Sequence, residues 1–420
     1  MTQAITTTRP PSNLARYAAV FGPGLVVMLA DTDVGSIITA AQSGAQWGYR
    51  LLLIQFVLMP ILFMVQELTV RLGLHTGRGH GELIQDTFGR TWAWVSVAGL
   101  AVAVFGALIT ELSGVAGVGE LYGIPRGISL LLATLALLAV VLTGSYRRVE
   151  RIAIALGLFE LAFFAVAWIA QPGLHEMAQG AVNIPWADKD YVYLAAANIG
   201  AVIMPWMVFY QQSAIADKGL RPEHLRAARW DTALGAIITQ LVMAAVLVAT
   251  AATIGHASTP GGTPPSLSTV GELSGALTPF LGVGFGRLVF SAGVLGAGMV
   301  AAIVATLALA WGVGEVTGYQ RSLNLRPPQA RAFYGLYAAA VAGCAALVGI
   351  WPDLVSLNVG VQVMNALLLP LVLGFLVALS IRALPPAVRL RGWYKGVVIV
   401  VISLTTLLGV FGGFSGAGLL

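Results

Sequence analysis

The residues of this chain that could do chemistry are few, and most of them lie in apolar surroundings. Asp31 and Asp33 fall inside a long apolar run, in the stretch Ala30-Asp31-Thr32-Asp33-Val34-Gly35-Ser36, and Glu67, Glu111 and Glu160 fall inside three others. A carboxylate in a segment long enough to cross a bilayer costs about 3 kcal/mol on insertion scales, so each is a functional candidate unless a partner satisfies it. Glu67 has an evident partner in Arg71, one helical turn further on. Pairing within a helix bundle is the preferred account of Glu160 as well. Asp31 and Asp33 are two residues apart, which on a continuous helix sets them about 200° apart. Gly35, Ser36 and the aspartates are also poor residues for a helix interior. Local unwinding explains both facts. It frees backbone carbonyls and turns side-chain oxygens inward, which is the donor set of a hard-cation site.

A second irregular stretch is Gly200-Ala201-Val202-Ile203-Met204-Pro205-Trp206. Pro205 removes a backbone donor and clashes with the preceding turn, which leaves the Ala201 carbonyl, four residues earlier, without its helical partner. Met204 adds a thioether, a soft ligand that favours transition metals over Mg²⁺ and Ca²⁺. Singly, the methionine reads as core filling and the proline as a kink. Set against an aspartate in an unwound first span, the two together read as half of a cation site.

The elements that must position these residues follow from composition. Of 420 residues, 58% are apolar and 10% charged, with a mean hydropathy of +0.85. Soluble chains carry about 25% charged residues. Apolar runs of helix-spanning length recur throughout, and in lipid such runs must be helices, because backbone groups have to pair internally. The expected fold is an all-α integral membrane protein of about eleven transmembrane helices, near 17–43, 51–71, 92–117, 128–143, 152–170, 191–214, 231–255, 283–313, 332–350, 353–381 and 396–414. With the N-terminus cytoplasmic, 19 of the 23 basic residues fall on the inside and only Arg50, Arg126, Lys189 and Arg287 outside. That asymmetry supports the helix count and the orientation together, with the C-terminus outside. It also explains the basic pI without a nucleic-acid partner. Cys344 is the lone cysteine, so an internal disulfide is excluded, and it reads as a small buried hydrophobe. Residues 1–16 are polar and the first apolar run is too long for a signal-peptide core, so no cleavable leader is expected. The connection 256–282 is rich in Gly, Pro, Ser and Thr and reads as flexible.

The expected organisation is a cytoplasmic tail at 1–16, a five-helix repeat over 17–170, a second over 191–381, and an extra helix at 396–414. Each repeat would open with a broken helix, the first and sixth spans, and transporters of this build place their site where the two breaks meet.

At these motifs the sequence resembles the Nramp family of metal-ion transporters, over roughly residues 20 to 380. The first span carries Gly22-Pro23-Gly24-Leu25 and Asp33-Val34-Gly35-Ser36, followed by Gly44-Ala45 and Gly48-Tyr49. The second closes with Arg71-Leu72-Gly73 and Thr76-Gly77, and the sixth matches through Ala201, Met204 and Pro205. The resemblance implies a LeuT-like inverted repeat of five and five helices. It implies Asp33 as the metal carboxylate, Ser36 at the position of the family's asparagine, Ala201 giving its carbonyl, Met204 its sulfur, and Gln362 in the tenth span approaching the ion as the site closes. Asp31 is a further candidate ligand, and Glu111 a candidate proton relay.

The sequence departs from the family pattern at several points. Val34 replaces the proline and Ser36 the asparagine of Asp-Pro-Gly-Asn. Trp206 and Gln211 stand where histidines are usual. The third-span motif appears as Thr110-Glu111-Leu112-Ser113-Gly114-Val115-Ala116-Gly117, with Gly114 in place of an acid. Together with Asp31 these departures resemble the magnesium-transporting branch of the family. Met204 favours Mn²⁺-type cations instead. The ligand chemistry ranks Mn²⁺-type uptake first and Mg²⁺ transport without proton coupling second. An amino-acid transporter of the same architecture comes third, because an acidic pair at the break disfavours a substrate carboxylate. No Ser-His-Asp set or HExxH motif points to an enzyme. The expected partners are the transported divalent cation and the lipid bilayer of a bacterial-type inner membrane, with no resident cofactor and a monomeric chain.

Overall fold

The computed structural model describes residues 20–255, 267, 270–277, 282–351 and 357–416; the expected tail at 1–16 and most of the connection 256–282 lie outside them. Every regular element among the described residues is helical. Nine runs are long and apolar enough to cross a membrane, and Arg126–Val141 is a shorter apolar helix. One of the nine, Val34–Thr76, is two helices joined by a 3₁₀ turn at Gly48–Leu51. With that run divided, the eleven apolar segments expected from the sequence are all present.

In chain order, α1 (Pro23–Asp31) and α2 (Val34–Trp47) form the first span, α3 (Leu52–Thr76) the second. After the short α4 (His80–Phe88) come α5 (Arg90–Leu121) and α6 (Arg126–Val141). The fifth span is α7 (Tyr146–Gly157), a 3₁₀ stretch at Leu158–Leu161, and α8 (Ala162–Ile169). A surface helix, α9 (Leu174–Val182), leads to the sixth span, α10 (Lys189–Val202) and α11 (Pro205–Lys218). Then follow α12 (Leu225–Thr250), α13 (Val270–Leu277), α14 (Val283–Thr317), α15 (Arg331–Ile350), α16 (Asn358–Arg382) and α17 (Gly392–Gly416). Part of the connection read as flexible is thus a helix, α13, whose eight residues are too few to register against the surrounding Gly and Pro.

The sixth span is the most completely buried of the candidate spans, and the largest single contact between helices is α14 on α5. Lipid offers no hydrophobic drive for helix association, so close approach rests on small residues. At Gly200 an added Cβ would meet the Gln362 carbonyl oxygen at 1.8 Å, so α10 and α16 touch backbone to backbone there. The start of the first span is pinned by polar groups. Asp231 accepts hydrogen bonds from the amides of Gly22 (3.2 Å), Gly24 (2.8 Å) and Leu25 (3.2 Å), satisfying donors that a helix N-terminus leaves unpaired. Lys218, at the end of α11, donates to the Phe21 carbonyl at 2.8 Å and to Glu150 at 2.7 Å. Glu67 forms the expected pair with Arg71 at 2.8 Å and a second with Arg229 at 2.5 Å. Cys344 is buried and unpaired.

Candidate metal site

Both predicted breaks are present. The first span stops at Asp31 and restarts at Val34, with Thr32 at φ −77°, ψ 52° between them. Asp33 is extended (φ −74°, ψ 172°) and caps α2, its Oδ1 accepting from the Ser36 amide at 2.6 Å. A short polar side chain at this position replaces a lost helical partner, which is why the sequence can restart a helix here. The sixth span stops at Val202 and restarts at Pro205, with Ile203 (φ −121°, ψ 86°) and Met204 (φ −95°, ψ 141°) extended. Pro205 occupies the first turn of α11, where its missing N–H costs nothing.

The two breaks meet. The Ser36 hydroxyl donates to the Ala201 carbonyl at 2.9 Å, the same carbonyl that Pro205 leaves without a helical partner. Gln362 packs against both: its Nε2 occupies the space above Gly35, and its backbone carbonyl lies against Gly200. Asn365 holds the Gln362 amide by donating to Oε1 at 2.9 Å. Met204 is buried at the second break. From the third span, Glu111 accepts from the Val34 amide at 3.0 Å through Oε2. The Glu111 and Asp33 carboxyls are thus neighbours, one holding the Val34 amide and the other the Ser36 amide at the start of α2.

Asp31 turns elsewhere. Its Oδ2 accepts from the Thr239 hydroxyl of α12 at 3.5 Å, and it takes no part in the Ser36–Ala201 contact. Buried polar atoms without partners are scarce in folded proteins. Around the first break they gather: Asp31 Oδ1, Asp33 Oδ2, Glu111 Oε1 and both Glu160 oxygens have none. Among the described residues no three His, Cys, Asp or Glu side chains converge as a ready metal cluster, so any ion here relies on mixed donors, including carbonyl, hydroxyl and thioether. His80, on the short helix α4, is fully buried and its Nδ1 lies 3.0 Å from Gln212; burial holds the imidazole down to about 4, neutral over the physiological range.

Two sequence departures prove to be neighbours. An added Cβ on Gly114 would meet Val34 Cγ1 at 2.5 Å. Val34, where the resemblance implies a proline, thus packs on Gly114, where it implies an acid. Sequence reasoning did not single out Thr239, Asn365 or Asp231. A threonine or asparagine in an apolar span carries little signal by itself, and Asp231 stands at the edge of a span, where a charge is unremarkable.

The described fold resembles several solved transporters. A manganese transporter from Eremococcus coleocola superposes with a TM-score of 0.76 at 20% identity, covering 99% of this chain and 91% of that one. MhsT, solved in complex with L-phenylalanine, gives a TM-score of 0.59 at 14% identity, covering 94% of this chain and 98% of that one. Fold alone therefore does not separate cation from amino-acid substrates. By sequence, the chain is 27% identical over 313 residues to the Divalent metal cation transporter MntH of Agrobacterium fabrum, covering 71% of this chain and 66% of that relative's length. The profile described as Natural resistance-associated macrophage protein-like matches residues 24–415. The chain therefore belongs to the Nramp family, a family of transporters and not of enzymes.

Proposed function

We propose that this protein imports a divalent metal cation, of Mn²⁺ type, through a site at the junction of the two broken spans. The observation that carries the proposal is the 2.9 Å hydrogen bond from Ser36 to the Ala201 carbonyl, which ties a carboxylate-bearing break to a thioether-bearing one. Asp33 supplies charge through its unpartnered Oδ2. The Ala201 carbonyl and Ser36 hydroxyl supply neutral oxygens, Met204 supplies sulfur, and Gln362 closes over Gly35 as the ion binds. A carboxylate, neutral oxygens and one thioether suit a borderline cation better than Mg²⁺, which holds its water and gains little from sulfur. The relative's name, divalent metal cation transporter, and that of the structural neighbour, manganese transporter, agree with this reading.

Proton coupling belongs to the same reading. A cation arriving at Asp33 repels any proton bridging Asp33 and Glu111, and Glu111 then passes it on alone, since Gly114 offers no second acid. Five spans before the sixth and five from the sixth to the tenth, with the eleventh as an addition, suit two inverted repeats with an alternating-access motion. The distribution of basic residues over the loops supports an N-terminus in the cytoplasm of a bacterial-type inner membrane.

A Mg²⁺ reading has one observation of its own: the additional buried acids, Asp31 and Glu160, add oxygen and no sulfur near the first break. Uptake into liposomes by the purified full-length protein tests the proposal, with Mn²⁺, Cd²⁺ and Mg²⁺ offered separately and L-phenylalanine as the control. Saturable Mn²⁺ and Cd²⁺ uptake is expected. Uptake of the amino acid, or of Mg²⁺ to the exclusion of Mn²⁺, would replace the reading.

A further inference from the structure

Four carboxyl groups, those of Asp31, Asp33, Glu111 and Glu160, surround the break in the first span, all at most 1% exposed. Among the described residues no lysine or arginine is buried with them. One divalent ion at the Ser36–Ala201 junction neutralises two of the four charges. Buried charge without a counter-charge is costly, so the remaining pair either carries protons or takes a positive partner of its own.

That pair, Asp31 and Glu160, lies away from the Ser36–Ala201 junction. Glu160 stands on the 3₁₀ stretch that interrupts the fifth span, and such mid-helix irregularities often mark function. Gly157, one turn earlier, lets the fifth span press on the first: an added Cβ there would meet Leu29 Cβ at 2.7 Å. The Glu160 carboxyl consequently reaches toward the Thr32 hydroxyl and lies within electrostatic range of Asp31. The Thr32 hydroxyl is already engaged with that of Thr239 at 2.6 Å, and Thr239 also donates to Asp31 at 3.5 Å. Both Glu160 oxygens and Asp31 Oδ1 remain without a hydrogen bond, fully buried. Asp31 and Thr32 also stand at the C-terminal end of α1, and helix C-termini present unpaired carbonyls and a partial negative charge.

We propose that Asp31, Thr32, Glu160 and Thr239 form a second cation site, between the first, fifth and seventh spans, for a hard metal ion held by oxygen alone. Two carboxylates, two hydroxyls and helix-end carbonyls, with no sulfur and no nitrogen, select Na⁺ or an alkaline-earth ion over Cd²⁺. Na⁺ would be a co-transported or coupling ion, while Ca²⁺-type binding would make the site structural or regulatory. The proposal does not depend on which metal crosses at the Ser36–Ala201 junction.

The test uses the full-length protein in lipid nanodiscs, with radioactive sodium, calcium and cadmium as probes. Sodium or calcium should bind to the wild type in a one-to-one ratio and stay bound when cadmium is saturating. Glu160→Gln should weaken that hard probe about tenfold or more while cadmium affinity stays within about twofold. Thr239→Val removes one oxygen without removing charge, and should weaken the same probe by a smaller factor. Binding of sodium alone assigns a monovalent ion, and binding of calcium alone a second divalent. Neither probe binding, with the acids carrying protons instead, would overturn the proposal. Complete displacement of the hard probe by cadmium would also overturn it, because there would then be one site. These wild-type measurements decide the matter even where a variant fails to fold. Retained hard-probe binding with no cadmium binding would sink the transport-site reading and leave this one standing.

Discussion

The breaks in the first and sixth spans do the same geometric job by opposite chemistry. The first unwinds because it is polar: Asp31, Thr32, Asp33 and Ser36 compete with the helical backbone, and Asp33 then caps the restart with a 2.6 Å bond to the Ser36 amide. The sixth unwinds with no charged residue at all: Pro205 removes one donor, and Ile203 and Met204 extend to accommodate it. One half of the junction thus supplies negative charge and hard oxygen, the other a carbonyl and a soft sulfur. In the proposed site, charge would fix whether a cation binds and the neutral half would adjust which cation it is. Lesions in the two halves should therefore differ in kind as well as in size.

The largest effect is expected from Asp33→Asn. Asparagine caps helices as well as aspartate does, so α2 should still start at Val34, while the charge is gone. Uptake of Mn²⁺ and Cd²⁺ into liposomes should fall to background with the melting temperature within a few degrees of wild type, a small change for a protein of this size. Retained uptake would take Asp33 out of the site. Met204→Ala, in the neutral half, should act selectively. Calorimetry should show Cd²⁺ affinity down by about tenfold or more and Mn²⁺ affinity within about threefold. Equal losses for the two ions would mean that Met204 only packs. The smallest change is expected from Ser36→Ala, which deletes the bond between the halves. A net hydrogen bond is worth about 1 kcal/mol, so affinity for every metal should drop only a few-fold and by similar factors. A loss confined to one metal would place Ser36 in the selective half and blur the contrast.

Much of this was legible in the residues. Pro205 and the Asp31–Asp33 spacing marked both breaks, because each violates helical periodicity within an otherwise uniform apolar run. The eleven segments followed from hydropathy and the placement of arginines. What the sequence did not disclose was direction. Asp31 reads as a neighbour of Asp33, yet the two carboxyls leave the unwound backbone toward different helices, Asp31 toward Thr239 and Asp33 toward Ser36 and Glu111. Glu160 reads first as a paired bundle acid, and only the packing of Gly157 on Leu29 shows that its stretch lies against the first span. The fit of Val34 against Gly114 was likewise hidden, since these departures from the family pattern lie 80 positions apart in the chain.

Crystals soaked in Mn²⁺, with diffraction recorded at the manganese absorption edge, test the account at its centre. A single strong anomalous peak is expected at the junction, bonded to the Asp33 carboxylate, the Ala201 carbonyl and the Met204 sulfur. A peak held by Asp31 and Glu160 with the junction empty, or bound to Asp33 with Met204 turned away, would contradict the claim that the two halves share one ion.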